Sequence, residues 1–167
     1  MLEAIVAKQL EISGVVQGVG FRPFLFVLAS KHNLKGEVSN TPGGVLAEVE
    51  GTSDNIEKFC ADIVEKKPLL ASVTNIESQD IALTGFNFFK IVKSKFARGR
   101  TTLISPDVSI CADCLEEMNN KDDRRFSYPF INCTNCGPRY TIIEGIPYDR
   151  PKTSMKHFLM CPECQRE

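Results

Sequence analysis

The chain has 167 residues, of which 43% are apolar and 25% charged, with 20 basic against 21 acidic side chains for a formal net charge of −1. That balance is typical of a folded globular protein and excludes intrinsic disorder and a surface basic throughout, of the kind that coats nucleic acid. No apolar run approaches the ~18 residues of a membrane span. Glu3, Lys8 and Glu11 interrupt the N-terminal stretch, so no signal peptide and a cytoplasmic location are expected.

In chain order, Lys8 to Ile12 alternates as a strand, with Leu10 and Ile12 on one face. The glycine-rich turn GVVQGVGFR (Gly14 to Arg22) follows, then a helical pattern with Phe24, Val27 and Leu28. His32, just after this helix, is expected to be a solvated end residue. GEVSN (36–40) and VLAEVE (45–50) read as strands joined by a tight turn at TPGG. Ile56, Phe59, Cys60, Ile63 and Val64 recur at helical spacing, Asp54 and Glu57 suggest a capping box, and Pro68 closes the helix. Cys60 falls on the apolar face and is expected in the core. Val73–Ser78 and Phe86–Val92 supply further strands. The order predicts an α+β fold, a ferredoxin-like β-α-β-β-α-β unit over residues 1–92 with both helices on one face of a four-stranded antiparallel sheet.

Lys93, Lys95, Arg98 and Arg100 make residues 93–110 a basic linker, expected to be a solvated arm. Beyond it lie three CxxC pairs: Cys111/Cys114, Cys133/Cys136 and Cys161/Cys164. Segment 111–167 has few long apolar runs, so a bound metal is expected to substitute for the missing core. Cys111, Cys114, Cys133 and Cys136 form a closed four-thiolate set over 111–150, best suited to structural Zn2+; iron also accepts four thiolates. Thiol–disulfide chemistry is the rival use of such pairs. Cys161 and Cys164 echo the first pair 50 residues on, so 151–167 reads as the start of a second, incomplete metal site whose remaining ligands would fall at about 183 and 186 of a longer chain. His157 is a bystander or a substitute ligand for that half-site.

The Gly14–Arg22 turn joins a strand to a helix. Gly18 and Gly20 allow a backbone nest for a phosphate, the helix N-terminus adds free N–H groups, and Arg22 offers a bidentate guanidinium. Gln17, Gly18, Val19, Gly20, Phe21 and Arg22 are thus the candidate phosphate cradle, with Gln17 chiefly structural. The turn holds no nucleophile and no Walker lysine, so a reaction here would use water, and Asn40 at the end of the next strand is the candidate to position it. Arg22 and Asn40 are the candidate catalytic pair, suited to a substrate with a good leaving group such as an acyl phosphate.

GVVQGVGFR, LASKHNLKGEVSN and GGVLAEVEG resemble the acylphosphatase family. That resemblance implies phosphate binding by Arg22 with the turn amides and water orientation by Asn40. SPDVSICADCLEE, DRRFSYPFINCTNCGPRYTII, PYDRP and FLMCPEC resemble the zinc-finger region of the HypF-type carbamoyltransferase family of [NiFe] hydrogenase maturation. The resemblance to that family's N-terminal part implies hydrolysis of carbamoyl phosphate, C-terminal domains of a full-length protein, and a hydrogenase maturation partner protein. A scaffold that binds carbamoyl phosphate without turnover is one alternative. A zinc-ribbon nucleic-acid binder using Arg124, Arg125 and Arg139 is another, disfavoured by the net charge and by few aromatics for base stacking.

Overall fold

The computed structural model describes residues 4–94, 107–133, 136–137 and 140–163. Lys95, Arg98 and Arg100 of the basic arm, together with Arg139 and Cys164, lie outside the described residues. Among those described, no helix is long and apolar enough to cross a membrane.

The first part of the chain runs β1 (Ile5–Val15), α1 (Phe21–Lys31), β2 (Lys35–Thr41), β3 (Gly44–Thr52), α2 (Ser53–Glu65), β4 (Ser72–Ile81) and β5 (Phe89–Ile91). The ferredoxin-like core is as expected, but the sheet has five strands in the order β4-β1-β3-β2-β5 rather than four. The extra strand arises because the chain, after β4, crosses to the far edge and pairs β5 parallel to β2, which makes the sheet mixed. Glu50, buried in β3, fixes that crossing by accepting the backbone N–H groups of Thr84, Gly85 and Phe86. Burial alone raises a carboxyl pKa; here the three N–H donors outweigh it and hold Glu50 below its ordinary value.

This pairing sets up the site. β1 and β2 both run antiparallel to β3, and β5 runs parallel to β2. All three therefore deliver their C-terminal ends to one edge of the sheet: the turn after β1, Asn40 near the end of β2, and Ser94 beyond β5.

The core lies between the sheet and the two helices. Leu10 and Ile12 of β1 are buried, as the alternation predicts. On α1 the buried stripe is Phe21, Leu25, Leu28 and Ala29, whereas Val27 is exposed and Phe24 only packs at the margin. The face is rotated from the expected one because Phe21, inside the glycine-rich turn, is itself the first core residue. On α2, Ile56, Phe59 and Ile63 are buried, Cys60 packs at the edge of the core, and Val64 is exposed. The cap of α2 is Thr52, whose hydroxyl accepts from Asn55 N–H at 3.3 Å. Asp54 stands inside the first turn and pairs with Lys58 at 2.7 Å, so the Asp54/Glu57 capping box does not form.

His32 is not a solvated end residue. It caps α1, its side chain is largely covered, and its ring lies 3.0 Å from Asp62 of α2. Asp62 also accepts from Lys66 at 2.7 Å. Lys66, then His32, hold the Asp62 carboxyl at about 2, against an ordinary 3.8. A carboxyl depressed in the folded state stabilises the fold above its unfolded pKa, and that contribution is lost as pH falls. The Asp62→Asn variant is therefore expected to lose less melting temperature than the parent as pH drops from about 3.8 toward about 2. Parallel acid melts of the two proteins check this.

Candidate functional site

The turn between β1 and α1 is held by its apolar side chains. Val16, Val19 and Phe21 are at most 1% exposed, so they anchor the turn in the core while Gly18 and Gly20, at φ 71° and 70°, bend the backbone. Helical bonding begins with Phe24 N–H to Gly20 C=O at 3.0 Å. The preceding N–H groups belong to the helix end that has no intrahelical acceptors, which gives this corner a positive potential. Of the cradle residues expected from sequence, Val19 and Phe21 thus offer only their backbone.

Gln17 is buried and ties the turn to the β2–β3 hairpin. Its Nε2 donates to Thr41 C=O and Gly44 C=O, each at 2.7 Å. Asn40, 1% exposed in β2, faces the same corner. Its Nδ2 donates to Tyr148 C=O at 2.9 Å, while its Oδ1 is a buried side-chain polar atom without a partner among the described residues. An unpartnered buried acceptor is costly unless it is used, and this one is oriented by the bond on its amide nitrogen.

Arg22, in the first turn of α1, is the third side chain to reach this corner. Its Nη1 donates to Asp149 Oδ1 at 2.9 Å and its Nη2 to Tyr148 C=O at 3.3 Å. Gln17 Oε1 accepts from Tyr148 N–H at 2.8 Å, and Ser94 hydroxyl bonds the second oxygen of Asp149. Sequence spacing brings Gln17, Arg22 and Asn40 to one corner. It gave no sign of Tyr148 and Asp149, although PYDRP was visible as a motif.

Tyr148 and Asp149 sit on a loop closed by the Ile143–Thr153 bridge and by Glu144 N–H to Lys152 C=O at 2.9 Å. Burial raises the Tyr148 phenol above its ordinary pKa. This loop belongs to the cysteine-bearing segment, which packs directly on the turn. A Cβ on Gly137, at φ +64°, would lie 1.7 Å from Gly18 C=O, so only glycine permits the approach.

The four expected thiols do meet. Cys111 caps the helix α3 (Ala112–Asn119), which carries Cys114; Cys133 and Cys136 approach from a second turn closed by Gly137 N–H to Cys133 C=O at 2.8 Å. The four sulfurs lie within 4.8 Å of one another. Separations of 3.5, 3.8 and 3.9 Å between Cys111 and Cys133, Cys114 and Cys136, and Cys133 and Cys136 far exceed an S–S bond of about 2.05 Å. They match the roughly 3.8 Å edge of a tetrahedron with metal–sulfur bonds near 2.3 Å. The donor set therefore fits a four-coordinate ion. Burial, then the adjoining thiols, raises Cys114 well above the ordinary thiol range; a cation at the four sulfurs reverses this by stabilising thiolates. Ile131 is the other buried residue of this small cluster, with Ile110 and Met118 beside it.

Cys161 is exposed, 3.8 Å from Arg124, and lies outside the four-sulfur cluster. His157 is exposed as well. Two of the arginines considered for nucleic acid are engaged locally: Arg125 pairs with Glu117 at 3.1 Å and Arg124 with Glu163 at 3.7 Å.

Comparison with known proteins matches residues 8–91 to the Acylphosphatase family and residues 110–143 to the HypF finger. The chain is 46% identical over 144 residues to a "Probable carbamoyltransferase HypF" of Methanocaldococcus jannaschii, covering 85% of this chain but 19% of that protein. It is 35% identical over 86 residues to an acylphosphatase of Staphylococcus haemolyticus, covering 51% of this chain and 97% of that one. The crystal structure of a full-length HypF in its phosphate- and nucleotide-bound form superposes with a TM-score of 0.94 at 51% identity, over 99% of this chain and 22% of that chain. The chain thus spans about a fifth of the carbamoyltransferases it matches. With its ferredoxin-like sheet, its glycine-bent turn and its four-cysteine cluster, it belongs to the acylphosphatase family and joins that domain to a HypF finger, as in the N-terminal part of the HypF carbamoyltransferases.

Proposed function

We propose that the chain hydrolyses carbamoyl phosphate, or a related acyl phosphate, as the N-terminal unit of a carbamoyltransferase for [NiFe] hydrogenase maturation. The observation that carries this reading is the unpartnered, buried Oδ1 of Asn40 beside the Arg22 turn. The amides from Gln17 to Arg22 and the Arg22 guanidinium hold the phosphoryl group and offset charge on its equatorial oxygens. Asn40 Oδ1 accepts from a water and sets it in line with the scissile bond. Water oxygen bonds to phosphorus as the P–O bond to the carbamoyl group breaks, giving inorganic phosphate and carbamate. The anhydride leaving group is stable as an anion, so no general acid is required.

The metal is proposed to be zinc, held by Cys111, Cys114, Cys133 and Cys136. A closed thiolate set leaves no open position, so the ion shapes the finger and takes no part in the reaction. Cys161 and Cys164 are read as half of a second such site. The remaining domains of a longer protein and a hydrogenase maturation protein are the proposed partners, and the cytoplasm the proposed location. A binding role without turnover is a second reading, favoured by one observation: Arg22 is already paired with Asp149.

Phosphate release from carbamoyl and acetyl phosphate separates the two readings. Turnover is expected in the parent, with inorganic phosphate competing. Arg22→Ala should raise KM and lower kcat together, whereas Asn40→Ala should lower kcat by about 10²-fold or more with KM little changed. Equal turnover by both variants and the parent contradicts the mechanism. Metal analysis should find zinc at the four-cysteine cluster, and Cys114→Ser, or a strong chelator, should release it and unfold residues around α3 while the sheet domain stays folded. Loss of sheet signals together with the metal would contradict that division.

A further inference from the structure

We propose that Asp149 is a built-in competitor for the phosphoryl group, and that the loop closed by Ile143 and Thr153 is a strap the substrate must displace from Arg22. The inference rests on the reading of Arg22 as the phosphate-binding guanidinium and adds a form of regulation to that site.

An anionic side chain occupies the one arginine that the turn presents. Asp149 Oδ1 lies 2.9 Å from Arg22 Nη1, and the adjoining Tyr148 C=O takes Nη2 at 3.3 Å, so both terminal nitrogens of the fork are engaged. Both residues of the ion pair are mostly covered, with side chains 20% and 30% exposed, so solvent screens the pair less than a surface pair. The strap is registered by bonds that do not involve this charge: Tyr148 N–H to Gln17 Oε1 at 2.8 Å and Asn40 Nδ2 to Tyr148 C=O at 2.9 Å. Ser94 then steadies the second carboxylate oxygen.

A phosphoryl dianion and a carboxylate repel one another and compete for Arg22 Nη1. Binding of phosphate therefore exchanges one ion pair for another, and the free energy of the Arg22–Asp149 pair is subtracted from the affinity. Tyr148 C=O must also release Nη2 for a bidentate grip. The loop thereby sets how readily the acylphosphatase site accepts an anion, and its Asp149 discriminates against weak anionic ligands that cannot replace a carboxylate.

The test is titration of the full chain with inorganic phosphate, comparing the parent with Asp149→Asn, Arg22→Ala and the double variant. Asp149→Asn removes the charge and keeps the backbone bonds of Tyr148, so its melting temperature without phosphate verifies the fold. Phosphate is expected to bind Asp149→Asn roughly three- to tenfold tighter than the parent, the scale of a partly screened ion pair. KM for acetyl phosphate should fall by a similar factor, and the gain should vanish in the double variant. Unchanged or weaker phosphate binding by a folded Asp149→Asn, with Arg22→Ala still abolishing binding, overturns the strap and leaves the phosphate site standing. Phosphate binding that is absent from the parent and from Asp149→Asn alike overturns the Arg22 site and the strap with it.

Discussion

Two consecutive residues of the cysteine-bearing segment, Tyr148 and Asp149, hydrogen-bond three side chains that a different module brings together. Gln17, Arg22 and Asn40 come from the turn after β1, the start of α1 and the end of β2, yet each bonds one short stretch more than 100 residues away in sequence. Such a convergence depends on the mixed sheet. Because β1, β2 and β5 run in the same direction, the glycine-bent turn, Asn40 and Ser94 lie at one edge, where a single loop can reach all of them. The two modules are therefore linked through the polar corner as well as by the close fit of Gly137 on Gly18.

The two parts are stabilised differently. Residues of the sheet domain bury an apolar core that includes Phe21, Leu25, Phe59 and Ile63, with Glu50 and Asp62 as internal polar ties. Around the cysteines the corresponding cluster is far smaller, with Ile131 between Cys114 and Cys136. A region so poor in apolar side chains cannot offset its ordering entropy by burial alone, and the metal proposed for its four sulfurs would supply the missing stability there. The loop that meets Arg22 belongs to the same cysteine-bearing segment and is closed by its own Ile143–Thr153 bridge.

Much of this was legible in the chain itself. Alternation around Leu10 and Ile12, the apolar spacing from Ile56 to Ile63, and the first two CxxC pairs each depend on local spacing, and each appears where expected. Position in the turn for Gln17 and Arg22, and at the end of β2 for Asn40, placed the three together. What escaped the reading depends on distant partners. A strand near Phe86–Val92 was expected, but not its place as a fifth strand parallel to β2, which follows the crossing that Glu50 fixes by gathering the amides of residues 84–86. His32 is covered because Asp62, thirty positions on, faces it. Phe21 displaces Val27 from the core because the helix begins inside the turn. Asp149 gave no local signal of an ion pair with Arg22, since nothing in PYDRP distinguishes such an aspartate from a solvated turn residue.

The central claim is that the corner formed by residues 17–22 and Asn40 is an anion site that the loop bearing Tyr148 and Asp149 closes. A crystal structure of this chain grown with phosphate tests it most directly. The account predicts phosphate against the backbone of Gly18–Arg22, the Arg22 guanidinium turned onto it, a water at Asn40 Oδ1, and Asp149 withdrawn. Phosphate bound elsewhere, with the Arg22–Asp149 pair intact at saturating concentration, would contradict it.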